Sequence, residues 1–270
     1  MLYKMKLFLI LLVIVGSSLY GKNKVYTYDK QENGMISIYL VNNNLFDITF
    51  KYHPTYTGLI PLDDFPIHQS IKAKSSKKLT TFMSRGKYSI KGGVRWTIGN
   101  KTVFHNNNYL YRLPYALNTA QIITQGFNGK FSHHGNSKYA VDFGLKVGTK
   151  IYASREGIVV LYKNDGSTHG TSKKYLKEAN SITIKHSDGT YAKYVHLKKG
   201  GVKVHLGQKI KRGEFIGYSG NTGFTNGPHL HFVVFKAKDY KSRTPIAVKF
   251  KTKQGILTNP IRGKKYIAVK

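Results

Sequence analysis

Gly227-Pro228-His229-Leu230-His231-Phe232 is the stretch that decides how this chain is read. On a strand, side chains alternate between the two faces, so His229 and His231 share one face and Leu230 points the other way. Gly227 and Pro228 form a turn that delivers the strand. Two imidazoles on one face can reach a single point in space, which suits a metal ion. His133, Asp142 and His196 lie upstream as further candidates. Three His/Asp ligands with one coordination position left open describe catalytic zinc better than structural zinc. An H-x-H pair alone would equally be two surface histidines on an edge strand. Here it sits in the longer string Ser219-Gly220-Asn221-Thr222-Gly223 … Gly227-Pro228-His229-Leu230-His231-Phe232, which is far more specific.

Around this string the chain reads as all-β. Met35–Val41 and Phe46–Tyr52 are rich in β-branched and aromatic residues, with Asn42-Asn43-Asn44 as a turn between them. Short strands are expected again at Lys77–Met83, Lys87–Ile90 and Arg95–Ile98, which suggests a small β-sandwich. This part lacks a His/Asp/Glu cluster with ligand spacing and reads as a binding or spacer module. Further strands are expected at Gly157–Tyr162, Ser181–Ile184, Thr190–Val195 and His229–Lys236, with Asp188-Gly189 as a hairpin turn. The stretch 164–180 reads as a polar insertion with one helical turn at Lys174–Ala179. The expected organisation is a signal peptide at 1–21, a β-rich amino-terminal domain at 22–112, a connector at 113–124, the metal-bearing β-domain at 125–240 and a basic extension at 241–270. That extension is either a solvated face or an edge that binds anions.

The 270 residues carry 44 Lys+Arg against 12 Asp+Glu, a net charge of +32, which points to a polyanionic environment. Lys4 and Lys6 precede the apolar run Leu7–Val15, followed by the small residues Gly16, Ser17, Ser18 and Gly21. This is the order of a secretory signal peptide, and nine apolar residues are too few for a comfortable permanent span. No stable membrane span is expected after cleavage. Zero cysteines exclude disulfides, thiolate catalysis, Cys-ligated zinc and a lipidated cysteine. Export without disulfides fits the bacterial envelope, in the periplasm, cell wall or extracellular space. In that setting nucleic acid is not the expected partner, and anionic envelope polymers are.

The motifs resemble those of the LytM/lysostaphin-type zinc endopeptidases, peptidase family M23. Besides the H-x-H string, Phe131-Ser132-His133-His134-Gly135 … Tyr139-Ala140-Val141-Asp142-Phe143 resembles the family's first ligand motif. His186-Ser187-Asp188-Gly189-Thr190-Tyr191 … Tyr194-Val195-His196-Leu197 resembles its central hairpin. The likeness runs from about Gln125 to Phe235 in the correct order. It implies an antiparallel β-domain with a groove across the sheet and one Zn2+ per chain held by His133, Asp142 and His231. It implies His196 and His229 as catalytic non-ligands, and the peptides of peptidoglycan as substrate. Eight residues separate His133 from Asp142, as in one subgroup of the family. Neighbours on an extended chain point oppositely, so one of His133 and His134 ligates. His133 follows Phe131-Ser132 in the matching pattern, and His134 is the alternative.

The chemistry has its own logic. Zinc brings the pKa of its water near 7, and a base must take the proton. The chain has no H-E-x-x-H, so no glutamate sits where a helical zincin keeps its base. Histidines are the natural substitutes. His229 is assigned as base or proton shuttle and His196 as stabiliser of the tetrahedral intermediate, with exchanged or shared roles as the alternative. His169, His186, His53, His68, His105 and His205 are read as non-catalytic. The competing function is a non-enzymatic envelope factor that binds cell wall or activates another hydrolase.

Overall fold

Ile36, Ile38 and Leu40 alternate with Ser37 and Tyr39, and strand Met35–Asn42 buries the apolar set. The computed structural model describes residues 24–270, and the expected signal peptide at 1–21 lies outside them. The chain divides into two compact units. One runs to Asn100 and takes in Asp239–Lys241; the other comprises Lys101–Lys238 and Ser242–Lys270.

The first unit holds two antiparallel sheets. One orders Val25–Glu32, Met35–Asn42, Ser75–Lys91 and Thr55–Pro61; the other orders Ile67–Ile71, Ile48–Tyr52 and Val94–Ile98. Phe65 links them, with its ring 5.9 Å from Tyr52 of one sheet and 5.7 Å from Phe82 of the other. The turn at 42–44 is stitched by Asn42, whose Nδ2 donates to the carbonyls of Phe46 and Lys72 and whose Oδ1 accepts from the Asn44 amide. The two strands expected at Lys77–Met83 and Lys87–Ile90 are one strand, Ser75–Lys91. Its first half pairs with Met35–Asn42 and its second with Thr55–Pro61, so the pairing partner changes while the strand continues.

The second unit is built on an 11-stranded sheet. At its centre Tyr191–Val202, Leu230–Ala237 and Val141–Gly144 lie side by side, all antiparallel. Ala192, Tyr194, Leu230, Phe232, Val234, Val141 and Phe143 fill the core below this sheet. The alternate residues therefore face the other way, and they floor a groove. The expected hairpin turn at Asp188-Gly189 forms, with the amide and hydroxyl of Thr190 donating to Asp188 Oδ1. No helix among the described residues is long and apolar enough to cross a membrane.

The domain boundaries differ from those expected at 112, 124 and 240. Strand Leu110–Arg112 pairs in parallel with Lys249–Thr252 of the second unit. The expected connector carries strand Ala120–Gln125, which pairs with Val141–Gly144 on one side and Lys265–Ile267 on the other. Tyr111, Leu113, Tyr115, Ile123, Val248, Phe250, Leu257 and Ala268 all belong to the second core. The reason is visible in the alternation around Phe250. Lys251 is exposed and Lys249 partly so, while Phe250 between them is buried, so a lysine-rich run is one face of a half-buried strand. Phe250 is fully buried and packs edge-on against Tyr111 and Phe143. Phe250→Ala is expected to lower the unfolding free energy of this unit by about 3–5 kcal/mol, measured by urea denaturation.

Candidate metal centre

Register brings the site together. Asp142 pairs with His231, and His231 pairs with Val195, so three adjacent strands align at one level. Paired residues share a face of the sheet, which puts Asp142 and His231 side by side. His196 follows Val195 and on a regular strand would turn into the core. It does not, because pairing with Asn180–Lys185 skips it: Ser181 opposes Val195 and Asn180 opposes Leu197. His196 is the extra residue of a bulge and has φ +67, a left-handed conformation that side chains other than glycine rarely adopt. The other non-glycine residues with positive φ, Asn33, Lys74, Asn118 and Asn128, are outside the strands. The bulge turns the His196 ring toward the groove beside Val195, and both line it.

Three imidazoles are anchored alike. His133 Nδ1 lies 2.7 Å from the Gly126 carbonyl, His196 Nδ1 2.7 Å from that of Thr222, and His229 Nδ1 2.8 Å from that of Gly227. A carbonyl only accepts, so each Nδ1 carries a hydrogen, and in its neutral form each ring presents a bare Nε2 lone pair. His133 Nε2 is buried without a hydrogen-bond partner, yet 3.1 Å from Asp142 Oδ1. His231 Nδ1 lies 2.8 Å from the same oxygen, and His229 Nε2 3.8 Å. A lone pair held that close to a carboxylate oxygen is repelled unless a proton or a metal cation lies between them. His133, Asp142 and His231 offer ligand atoms that all lie within 4.8 Å of one another. Tetrahedral zinc with bonds near 2.0–2.1 Å spaces its ligands by about 3.3 Å, close to the two shorter separations. The donor set therefore fits a zinc ion.

Electrostatics agree. Burial alone pushes the Asp142 carboxyl up, but the facing His133 and His231 rings outweigh it and hold it well below the usual carboxylate range. Burial, then the neighbouring His229 and His231, pushes His196 down to about 3, so its ring is neutral near pH 7. A neutral His196 held by Thr222 is a proton acceptor. To steady an oxyanion it must carry a second proton on Nε2.

Of the adjacent pair, His133 turns inward and His134 stays exposed. His186 is buried at the 185–191 hairpin with Nδ1 on the Glu156 carbonyl, as a turn-packing residue. The polar insertion becomes a wall: its 3-10 helix Lys173–Glu178 brings Lys173 and Leu176 to a groove of about 470 Å³. Phe131 and Phe224 stack on the groove lining, 5.9 Å apart and nearly parallel.

Sequence reasoning missed Gln125. It pairs opposite Asp142, and its Nε2 donates to Asp142 Oδ2 at 3.0 Å and to Ser132 Oγ at 2.8 Å. Its Oε1 accepts from the amides of Phe131 and Ser132. One amide side chain thus orients the carboxylate and ties down the loop that carries His133. Its only signal was a polar residue ending an apolar strand beside Gly126. Gly126 itself leaves no room for a side chain, since a Cβ there would lie 1.8 Å from the Pro260 carbonyl oxygen.

A sequence profile of peptidase family M23 matches residues 136–244. Residues 136–244 carry the peptidase family M23 domain. The M23 domain is 33% identical over 122 residues to peptidoglycan DD-endopeptidase ShyA of Vibrio cholerae, covering 44% of this chain and 26% of ShyA. It is 37% identical over 100 residues to glycyl-glycine endopeptidase ALE-1 of Staphylococcus capitis, covering 37% of this chain and 25% of ALE-1. The chain spans about a quarter of the length of the curated relatives it matches. Among solved structures, the catalytic domain of lysostaphin from Staphylococcus simulans aligns at 29% identity and a TM-score of 0.32, covering 51% of this chain and 86% of that one. Gln125→Ala in the M23 domain is expected to weaken zinc binding by about 10–100-fold, read by chelator competition.

Proposed function

We propose that the protein is an exported zinc-dependent endopeptidase that hydrolyses peptide bonds of peptidoglycan, in cross-links or stem peptides. The observation that carries this is the convergence of His133, Asp142 and His231 on one point beside two further imidazoles with free Nε2 atoms. The match of residues 136–244 to a peptidase family, and relatives named peptidoglycan DD-endopeptidase and glycyl-glycine endopeptidase, support the reaction class. The apolar run Leu7–Val15, led by Lys4 and Lys6, supports export.

His133 Nε2, Asp142 Oδ1 and His231 Nδ1 would hold the ion, and Gln125 would fix the plane of the carboxylate. When bound, zinc supplies Lewis acidity toward the attacking water and the scissile carbonyl. His229 Nε2 accepts the proton of the attacking water and passes it to the leaving amine as the carbon–nitrogen bond breaks. His196 Nε2 lies on the same face, its ring centroid 4.5 Å from that of His229. It holds the oxyanion side of the intermediate when protonated and shares the acceptor role when neutral. Thr225 Oγ1, 3.3 Å from His229 Nδ1, helps fix that ring. The non-enzymatic alternative gains nothing from the strained backbone at His196, which a purely structural position has no need to keep.

Wild-type protein loaded with zinc is expected to release new muropeptides from purified peptidoglycan, read by mass analysis, and a chelator to stop it reversibly. His231→Ala and Asp142→Ala are expected to lose both zinc and hydrolysis. His196→Ala and His229→Ala are expected to keep zinc and lose at least about 100-fold in rate. Full hydrolysis by His231→Ala would refute the assignment.

A further inference from the structure

Lys193 is a groove residue that the hydrolytic constellation does not use. It lies two residues before Val195 on the 191–202 strand and pairs with Val233, while Val195 pairs with His231. Ala192 and Tyr194 point into the core, so Lys193 shares the groove face with Val195, about 7 Å along the strand. Its side chain is half-buried, and among the described residues nothing hydrogen-bonds or ion-pairs with its ammonium. Burial and the nearby Arg243 push its pKa down to about 8.

The charges lining the groove are lopsided. Lys173, Lys193 and Arg243 are cations, and Asp142, the sole acid, faces the histidines. Arg243 is held with its guanidinium 4.5 Å from the centroid of the Phe235 ring. An ammonium partly withdrawn from water beside a guanidinium gains from a counter-charge, and the described lining of the groove offers Lys193 none.

We propose that Lys193, beside Arg243, forms a carboxylate-binding subsite in the groove, so that the peptide bound there carries a free carboxylate within about two residues of the bond at the metal centre. The inference rests on the endopeptidase reading and narrows it to acidic peptides over neutral ones such as polyglycine. The ammonium selects the carboxylate by a charge-assisted hydrogen bond, and Phe131 and Phe224 supply apolar surface alongside.

The test is binding of a fluorescent stem tetrapeptide, L-alanyl-D-isoglutamyl-meso-diaminopimelyl-D-alanine, against the same peptide with its carboxylates amidated. Anisotropy is read on the zinc-loaded full chain. The amidated peptide is expected to bind wild type at least about tenfold more weakly. Lys193→Met, which keeps the aliphatic stem, is expected to lose that preference, and Lys193→Arg to retain most of it. Equal affinity of wild type for both peptides overturns the proposal without reference to any variant, as does an undiminished preference in folded Lys193→Met. Digestion of peptidoglycan run in parallel separates the two readings. Wild type that discriminates but releases no fragments keeps the subsite and removes the peptidase, and wild type that releases fragments but binds both peptides alike does the reverse.

Discussion

Main-chain carbonyls decide which way the imidazoles of this site present their lone pairs. Gly126, Thr222 and Gly227 each hold one Nδ1, and the free Nε2 atoms follow from that alone. A side-chain carboxylate in the same position would swing on its own torsions, whereas a peptide carbonyl is as rigid as the loop that carries it. The loops are rigid for identifiable reasons. Gly126 abuts the Pro260 carbonyl, and the loop around Thr222 is tied by the Thr222 hydroxyl to Leu197 and by the Asn180 amide to that hydroxyl. The direction of these lone pairs thus depends on backbone packing one layer behind the histidines.

The sheet supplies the second half of the arrangement through two irregularities. The bulge at His196 brings a residue to the groove that strict alternation would bury. A second shift, between Asp142 and Phe143 against Ala120–Gln125, places Gln125 opposite Asp142 while the strand beyond it stays in register with the core. Bulges bend and re-aim a strand locally without disturbing its partners further along. Here they let one continuous sheet keep a sealed apolar face and a polar working face at the same level.

Much of this was readable from residues. The alternation in His229-Leu230-His231 placed two rings on one face and Leu230 in the core, as found. The all-β class, the Asp188-Gly189 hairpin and the short helical turn in the insertion followed from local pattern and turn chemistry. The domain limits did not. Strands Leu110–Arg112, Ala120–Gln125 and Lys249–Thr252 are short and each pairs with a segment more than a hundred residues away, and no local window carries that information. The lysines of Lys249–Thr252 mimic a solvent-exposed tail, because a half-buried strand shows its charged alternation as plainly as its buried one. Gln125 was invisible for a related reason: its importance lies in what stands across the sheet from it.

The left-handed backbone at His196 has a further bearing on how such a domain ages under selection. A histidine at that φ stores about 1–3 kcal/mol that a glycine would release. Under the role proposed for His196, the hardier protein and the working protein differ at this residue, and screening for heat resistance alone would drift away from the proposed chemistry.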